Sequence, residues 1–369
     1  MLIPTHLSLL AVALFSTVVC GEPDSEDKRA FLQSLEAKFE SYQQRNSFGN
    51  GSIQDPFRKQ HLRRDVKGVN RNPDGSAFVW LPEDVYQGKN FFDAFDFFRW
   101  DDPTAGAVTY VNRTVAFEKK YAYVDDNGKV IMKPDITSHL PLGAHRESVR
   151  INTWKLYTGG LFILDLNRAP WGCAVWPAFW TVGMPKWPDF GEIDVLEGVH
   201  DNEHNQVAWH TNPGCWLDTT QQFTGNVTTG PDGHHHDNCD ANINNNAGCA
   251  ITEWSRASYG PYFEAQGGGV IAMKWDENDI SVWSFFRAAI PDDILDGTPT
   301  PSSWGPPSAK LSSSKCDINK YYGNHTIVFN ITFCGAWAGN SYIGTDCPGT
   351  CPERMMDPAN FVVRGFFRY

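Results

Sequence analysis

Glu192, Asp194 and Glu197 stand close together in the run Phe190-Gly-Glu192-Ile-Asp194-Val-Leu-Glu197-Gly198. Aliphatic residues separate them, a pattern suited to a buried strand. Side chains on a strand alternate between faces with period two, so Glu192 and Asp194 share one face. Glu197 has the opposite parity and rejoins them only if Val195-Leu196 hold one extra residue, a β-bulge. Three carboxyls on one face are costly unless their protonation states differ. Hydrolysis of a glycosidic bond uses such a difference: one carboxylate attacks the sugar, and a second, kept protonated, protonates the leaving oxygen. Asp194, between them, would tune both. The plainer alternative is an edge strand whose acids face water.

Ahead of the acids runs Trp171-Gly-Cys-Ala-Val-Trp176-Pro-Ala-Phe-Trp180-Thr-Val-Gly183, an aromatic density suited to stacking on sugar faces. The combination W-P-A-F-W followed by W-P-x-x-G-E-I-D-V-L-E-G resembles glycoside hydrolase family 16, above all the fungal endo-β-1,3(4)-glucanases called laminarinases. The resemblance runs from about Phe91 to the C-terminus. It implies an all-β jelly-roll sandwich of two antiparallel sheets with a glycan cleft across the concave one. It also implies Glu192 as nucleophile, Glu197 as general acid/base and Asp194 as the tuning carboxylate.

Trp180 and Trp187 match cleft-lining positions of the family and are expected as sugar platforms, the alternative being core. Trp337, in Cys334-Gly-Ala-Trp-Ala-Gly, resembles a tryptophan near the scissile bond. His210 resembles a cleft histidine, against the alternative of a satisfied core histidine. Phe91–Phe98 and Asp102–Val111 resemble the family's entry region, and their aromatic residues are read as core.

The elements that must position these residues are short. From Ala77 onward, alternating or apolar runs are separated by Gly, Pro, Asn and Asp turns, as in a sandwich or barrel. Strands are expected at Ser148–Thr153, Gly160–Leu166, the hairpin Val270–Trp275 with Ile280–Phe285, Thr326–Phe333 and Phe361–Arg368. No long helix is expected inside this domain. The architecture hosts lectins as well as enzymes, so the fold alone does not assign catalysis.

The chain has 369 residues, a net charge of -12 and an aromatic fraction of 14%. The acidic balance argues against nucleic acid or an anionic membrane as partner and is indifferent to a neutral glucan. Leu7–Val19 reads as the apolar core of a secretory signal peptide ending near Cys20-Gly21, although His6 is the only basic side chain before it. The run is too short for a comfortable membrane span. Its removal would leave an even set of cysteines, at 173, 215, 239, 249, 316, 334, 347 and 351, which reads as disulfides. Sequons at Asn50, Asn112, Asn226, Asn324 and Asn330 fit the same route.

Three parts are therefore expected: a signal peptide over 1–21, an N-terminal extension over 22–75 and a catalytic domain over 76–369. In the extension, Phe31, Leu32, Leu35, Phe39 and Tyr42 recur at helical spacing, with Lys28-Arg29 before them and Arg63-Arg64 after. It is either a pro-segment cut at a basic pair or a helix docked on the domain. The stretch Pro231–Cys249 carries His234-His-His236, but adjacent histidines cannot all reach one ion without strain. A surface loop pinned by Cys239 and Cys249 is expected, and no metal or other cofactor. No phosphate-cradling glycine motif and no G-x-S-x-G nucleophile elbow occurs.

The expected protein is a secreted, monomeric, endo-acting retaining glycosidase for β-1,3- or mixed β-1,3/1,4-glucans. Retention is expected because Glu at both ends and the shorter Asp between them let the outer carboxyls lean together. The alternatives are a transglycosylase with a sugar acceptor and a non-catalytic glucan-binding protein on the same fold.

Overall fold

The computed structural model describes residues 12–20, 68–230, 233–361 and 367–368. The helical-spacing segment at 31–42, both basic pairs and the sequon at Asn50 lie outside them. Two antiparallel sheets dominate. One has seven strands in the order Ala309–Ser312, Asp279–Phe286, Gly269–Trp275, Gly160–Leu166, Val12–Cys20, Ala77–Tyr86 and Asn70–Arg71. The other has eight, in the order Asn226–Val227, Cys249–Thr252, Gln206–His210, Glu192–Glu197, Val175–Gly183, His325–Phe333, Arg150–Thr153 and Phe95–Phe97. The spatial order departs from the sequence order, so most neighbours are brought together from far apart.

Period-two alternation explains why each sheet buries what it does. On the Gly160–Leu166 strand, Phe162, Leu164 and Leu166 join the main core between the sheets, while Leu161 and Ile163 join a second cluster on the outer side. Gly269–Trp275 divides in the same way, Ile271, Met273 and Trp275 inward and Val270 and Ala272 outward. Phe285, Ile290, Ile294 and Trp304 pack against that outer cluster. Strands buried on both faces read as unbroken apolar runs, which is how these two appear in the sequence.

The eight-stranded sheet is one-sided. Ile151, Phe179, Ile193, Val207, Trp209, Ile327, Phe329, Ile331 and Phe333 enter the main core. Their alternating neighbours Arg150, Trp180, Glu192, Asp194, His210 and Asn330 stand on the opposite face. Phe91, Phe92, Phe95 and Phe97 are core, as expected.

The expected strands are present at 146–148 with 150–153, at 160–166, 269–275, 279–286 and 325–333. Of the expected closing strand, 362–366 lie outside the described residues; Phe361 caps a 3-10 turn, and Phe367–Arg368 pairs with Ile131 and Met132. No helix among the described residues exceeds seven residues. The eight cysteines form Cys173–Cys347, Cys215–Cys316, Cys239–Cys249 and Cys334–Cys351. The apolar leader run contributes the strand Val12–Cys20, paired with Ala77–Tyr86 along its whole length and with Gly160–Leu166 over Val12–Phe15.

Candidate active site

The bulge is written in the strand register. Against Val175–Gly183, Asp194 pairs with Trp180 and Leu196 with Phe179, so Val195 has no partner. Against Gln206–His210, Asp194 pairs with Ala208 and Glu197 with Gln206, three steps on one strand for two on the other. Val195 and Leu196 both turn into the core, fully buried. Glu197 thereby returns to the face of Glu192 and Asp194.

A bulge strands backbone groups that a regular ladder would pair. Asn205, itself fully buried, answers them. Its side-chain oxygen accepts from the Glu197 N–H at 2.8 Å, and its amide nitrogen donates to the Val195 carbonyl and to Glu253 Oε1, each at 2.9 Å. The Asn205 N–H in turn donates to Ser258 Oγ at 2.9 Å. The extra residue is thus held by a polar clamp from the next connection.

Around the three acids the contacts differ. Glu197 Oε1 accepts from Trp176 Nε1 at 2.7 Å. Trp337 meets Trp176 edge-on, ring centroids 5.8 Å apart. Its segment is tied back by Cys334–Cys351 and Cys173–Cys347. His210 Nε2 lies 3.2 Å from Asp194 Oδ2 and 4.0 Å from Glu192 Oε1. Arg150 lies 4.9 Å from the Trp180 ring centre and 4.3 Å from that of Phe98. Trp180 Nε1 donates to Asn330 Oδ1 at 2.7 Å, and Asn330 Nδ2 donates to Tyr110 Oη at 3.3 Å.

Burial raises the pKa of all three carboxyls. For Glu192 burial acts first and the Asp194 charge second, lifting it to about 8, while His210 and Arg150 favour its ionised form. Glu197 is raised by burial and then by Asp194, with the Trp176 hydrogen bond pulling the other way. Asp194 is raised by burial. A set of acids held up in this way keeps some members protonated near neutrality while one ionises, the condition that acid–nucleophile division requires. One donor atom each from Glu192, Asp194 and His210 lies within 4.8 Å of the others, close enough to share a cation.

The structure brings Glu192, Asp194, Glu197, Trp180 and His210 to one patch, with Trp337 joined through Trp176. Trp187 is 40% exposed on the loop that enters the carboxylate strand through cis Pro185 and cis Pro188. Trp180 is half-buried, with the Arg150 guanidinium over its ring. Sequence reasoning missed Trp176, Arg150, Asn205 and Asn330. Trp176 was findable, because it shares parity with Trp180. Asn330 reads as a sequon, yet it is buried and its amide is spent on Trp180 and Tyr110.

The profile described as "XgeA-like, catalytic GH16 domain" matches residues 95–365. A probable glycosidase of Schizosaccharomyces pombe is 40% identical over 297 residues, covering 79% of this chain and 68% of that protein. The chain spans only 34–60% of the length of the endo-1,3(4)-β-glucanases of Arthroderma and Aspergillus that it also matches. Among solved structures, Laminarinase 16A from Phanerochaete chrysosporium, with β-glucans in donor and acceptor sites, aligns with a TM-score of 0.72 at 35% identity. It covers 78% of this chain and 96% of its own. A family 16 enzyme described as an elongating β-1,3-glucosyltransferase aligns at TM-score 0.71 and 37% identity, with the same coverage.

Proposed function

The chain belongs to glycoside hydrolase family 16, and from that premise we propose that it is a secreted endo-β-glucanase cleaving β-1,3- or mixed β-1,3/1,4-glucan with retention. The observation that carries this reading is the bulged strand, which sets three enclosed carboxyls, each with its pKa raised by burial, on one face beside a tryptophan donor and a histidine. Binding alone would gain nothing from crowding three acids together, since each costs desolvation.

Glu192 attacks the anomeric carbon while Glu197 transfers its proton to the departing glycosidic oxygen. Trp176 Nε1–H then faces the carboxylate that Glu197 becomes, and so stabilises it. In the second half, Glu197 takes a proton from the incoming acceptor as the bond to Glu192 breaks. With water as acceptor the outcome is hydrolysis; with a sugar hydroxyl it is transfer. The likeness to a glucosyltransferase makes transfer the second reading.

The test is a panel of laminarin, lichenan, branched β-1,3-glucan and cellulose, read by product size and by NMR of early products. Retention predicts the β anomer first, and an initial α anomer would overturn it. Longer products at high oligosaccharide concentration would favour the transferase. Tight laminarin binding with no bond cleaved would leave a glucan-binding protein instead. Export is part of the proposal, supported by the leader-like run at 7–19 and by four disulfides, which persist in oxidising compartments.

A further inference from the structure

The loop from Cys239 to Gly248, with its run of asparagines, has no role in the chemistry above, yet it lies against the histidine of the site. Cys239–Cys249 closes it, and Cys249 pairs in register with Trp209, the residue before His210. Its first residues run beside Thr211, whose N–H donates to the Cys239 carbonyl at 2.8 Å. Asn244, Asn245 and Asn246 then take three successive left-handed conformations, with φ of 51°, 54° and 61°. Asparagine tolerates that region better than most residues. At the end of this turn Asn246 Oδ1 sits 2.9 Å from His210 Nδ1. The loop can lie this close because position 248 is glycine: a Cβ there would come within 2.7 Å of His210 Cε1 and 2.8 Å of Nδ1.

We propose that Asn246 is a positioning residue that holds the His210 proton on Nδ1, so that Nε2 and Asp194 Oδ2 share one further proton as an uncharged pair. This rests on the retaining-glycosidase reading of the same site. The amide oxygen accepts from Nδ1–H, which leaves Nε2 without a proton of its own in the neutral ring. Asp194 Oδ2, buried and without a hydrogen-bond partner, then lies 3.2 Å from a bare Nε2 and can bond it only by bringing a proton from solution. Glu192 ionises beside a pair without net charge.

Without the acceptor at Nδ1, the ring places its proton on Nε2 and donates it to an ionised Asp194. Glu192 must then lose its proton next to a negative charge, which moves its ionisation to higher pH. The other ionisable groups near the pair are Glu192 and Glu197 on the same strand, Arg150 facing Glu192, and Tyr322, which faces both Glu192 and Asp194. On the loop side, Asp240 spends its carboxylate on Asn242.

The experiment compares the wild type with Asn246→Gly and Asn246→Asp, measuring laminarin kinetics against pH and the ring-nitrogen tautomer of His210 by 15N NMR. Glycine suits φ of 61° and removes the acceptor without adding backbone strain, so the melting temperature should hold. Asn246→Gly should lower kcat about ten-fold, the scale on which outer partners of site histidines act, with KM little changed. The acid limb of kcat/KM should move to higher pH, and His210 should shift from the Nδ1–H to the Nε2–H form. Asn246→Asp keeps an acceptor and should restore most of the loss and the wild-type tautomer. An unchanged tautomer in Asn246→Gly, a loss equal at every pH, or an Asn246→Asp variant as impaired as the glycine one would each overturn the proposal. A wild type inactive on every glucan would instead sink the retaining-glycosidase reading, while the tautomer measurement would still decide the role of Asn246.

Discussion

At the scale of single residues, the three carboxyls are told apart by their partners. Glu192 faces Arg150 and His210, and Glu197 faces the Trp176 indole. Glu192→Gln should abolish turnover on every glucan. Glu197→Ala should keep much of its rate on an activated aryl glycoside, and added azide should yield the β-glycosyl azide. Azide rescue of the Glu192 variant instead would exchange the assigned roles. Trp176→Phe keeps the ring but deletes the N–H that favours ionised Glu197. The general acid should then hold its proton to higher pH, moving the alkaline limb of kcat/KM upward. A limb that stays in place would mean that the indole only packs.

At the scale of elements, the carboxylate strand works because its bulge is clamped. Asn205→Ala removes the partner of the Glu197 N–H and of the Val195 carbonyl together, and one donor of the buried Glu253 carboxyl, which keeps Ser284. Each orphaned buried group costs on the order of 1–3 kcal/mol, so a loss of about 3 kcal/mol or more is expected in chemical denaturation. Asn205→Asp should not repair it, because a carboxylate cannot donate to Val195 and would crowd Glu253. In either variant still folded at low temperature, kcat should fall more than binding weakens, since Glu197 loses its anchor. Wild-type stability in Asn205→Ala would show that the bulge needs no clamp.

At the scale of the whole molecule, the site is stored against the stability of the fold. Glu192 titrates at 4.5 in an unfolded chain and at about 8 here, so the folded protein binds that proton more tightly. The contribution is full below about pH 4.5 and declines as pH rises through about 8, where ionising the group costs burial energy. Glu192→Gln should therefore melt higher than the wild type at pH 8, with the advantage shrinking toward pH 4.5, as read by calorimetry. An advantage independent of pH would refute this account. The four disulfides predict no free thiol among residues 68–361 of the denatured, unreduced protein, and thiol labelling there would contradict them. Cleavage near Gly21 would take the strand Val12–Cys20 out of the seven-stranded sheet, leaving Ala77–Tyr86 and Gly160–Leu166 to close over the gap. N-terminal sequencing of secreted protein decides this: a start near Glu22 or Asp65 means removal, and a start at Met1 means the strand is permanent.

The sequence by itself determined the carboxylate strand, its parity and the bulge that Glu197 needs, because alternation is a local property of an extended chain. The two-faced burial of Gly160–Leu166 was legible for the same reason. The family resemblance carried Trp180, His210 and Trp337, but not what each one touches. Only the tertiary structure decided that Trp176 bonds Glu197, that Asn205 holds the bulge, and that Asn330 is buried against Trp180 and Tyr110 rather than a free sequon. The residues bonded across the site come from strands up to 220 positions apart, as Tyr110 and Asn330 are. Which strands become neighbours is set by how the whole chain buries its apolar faces, and no local pattern of residues records that outcome.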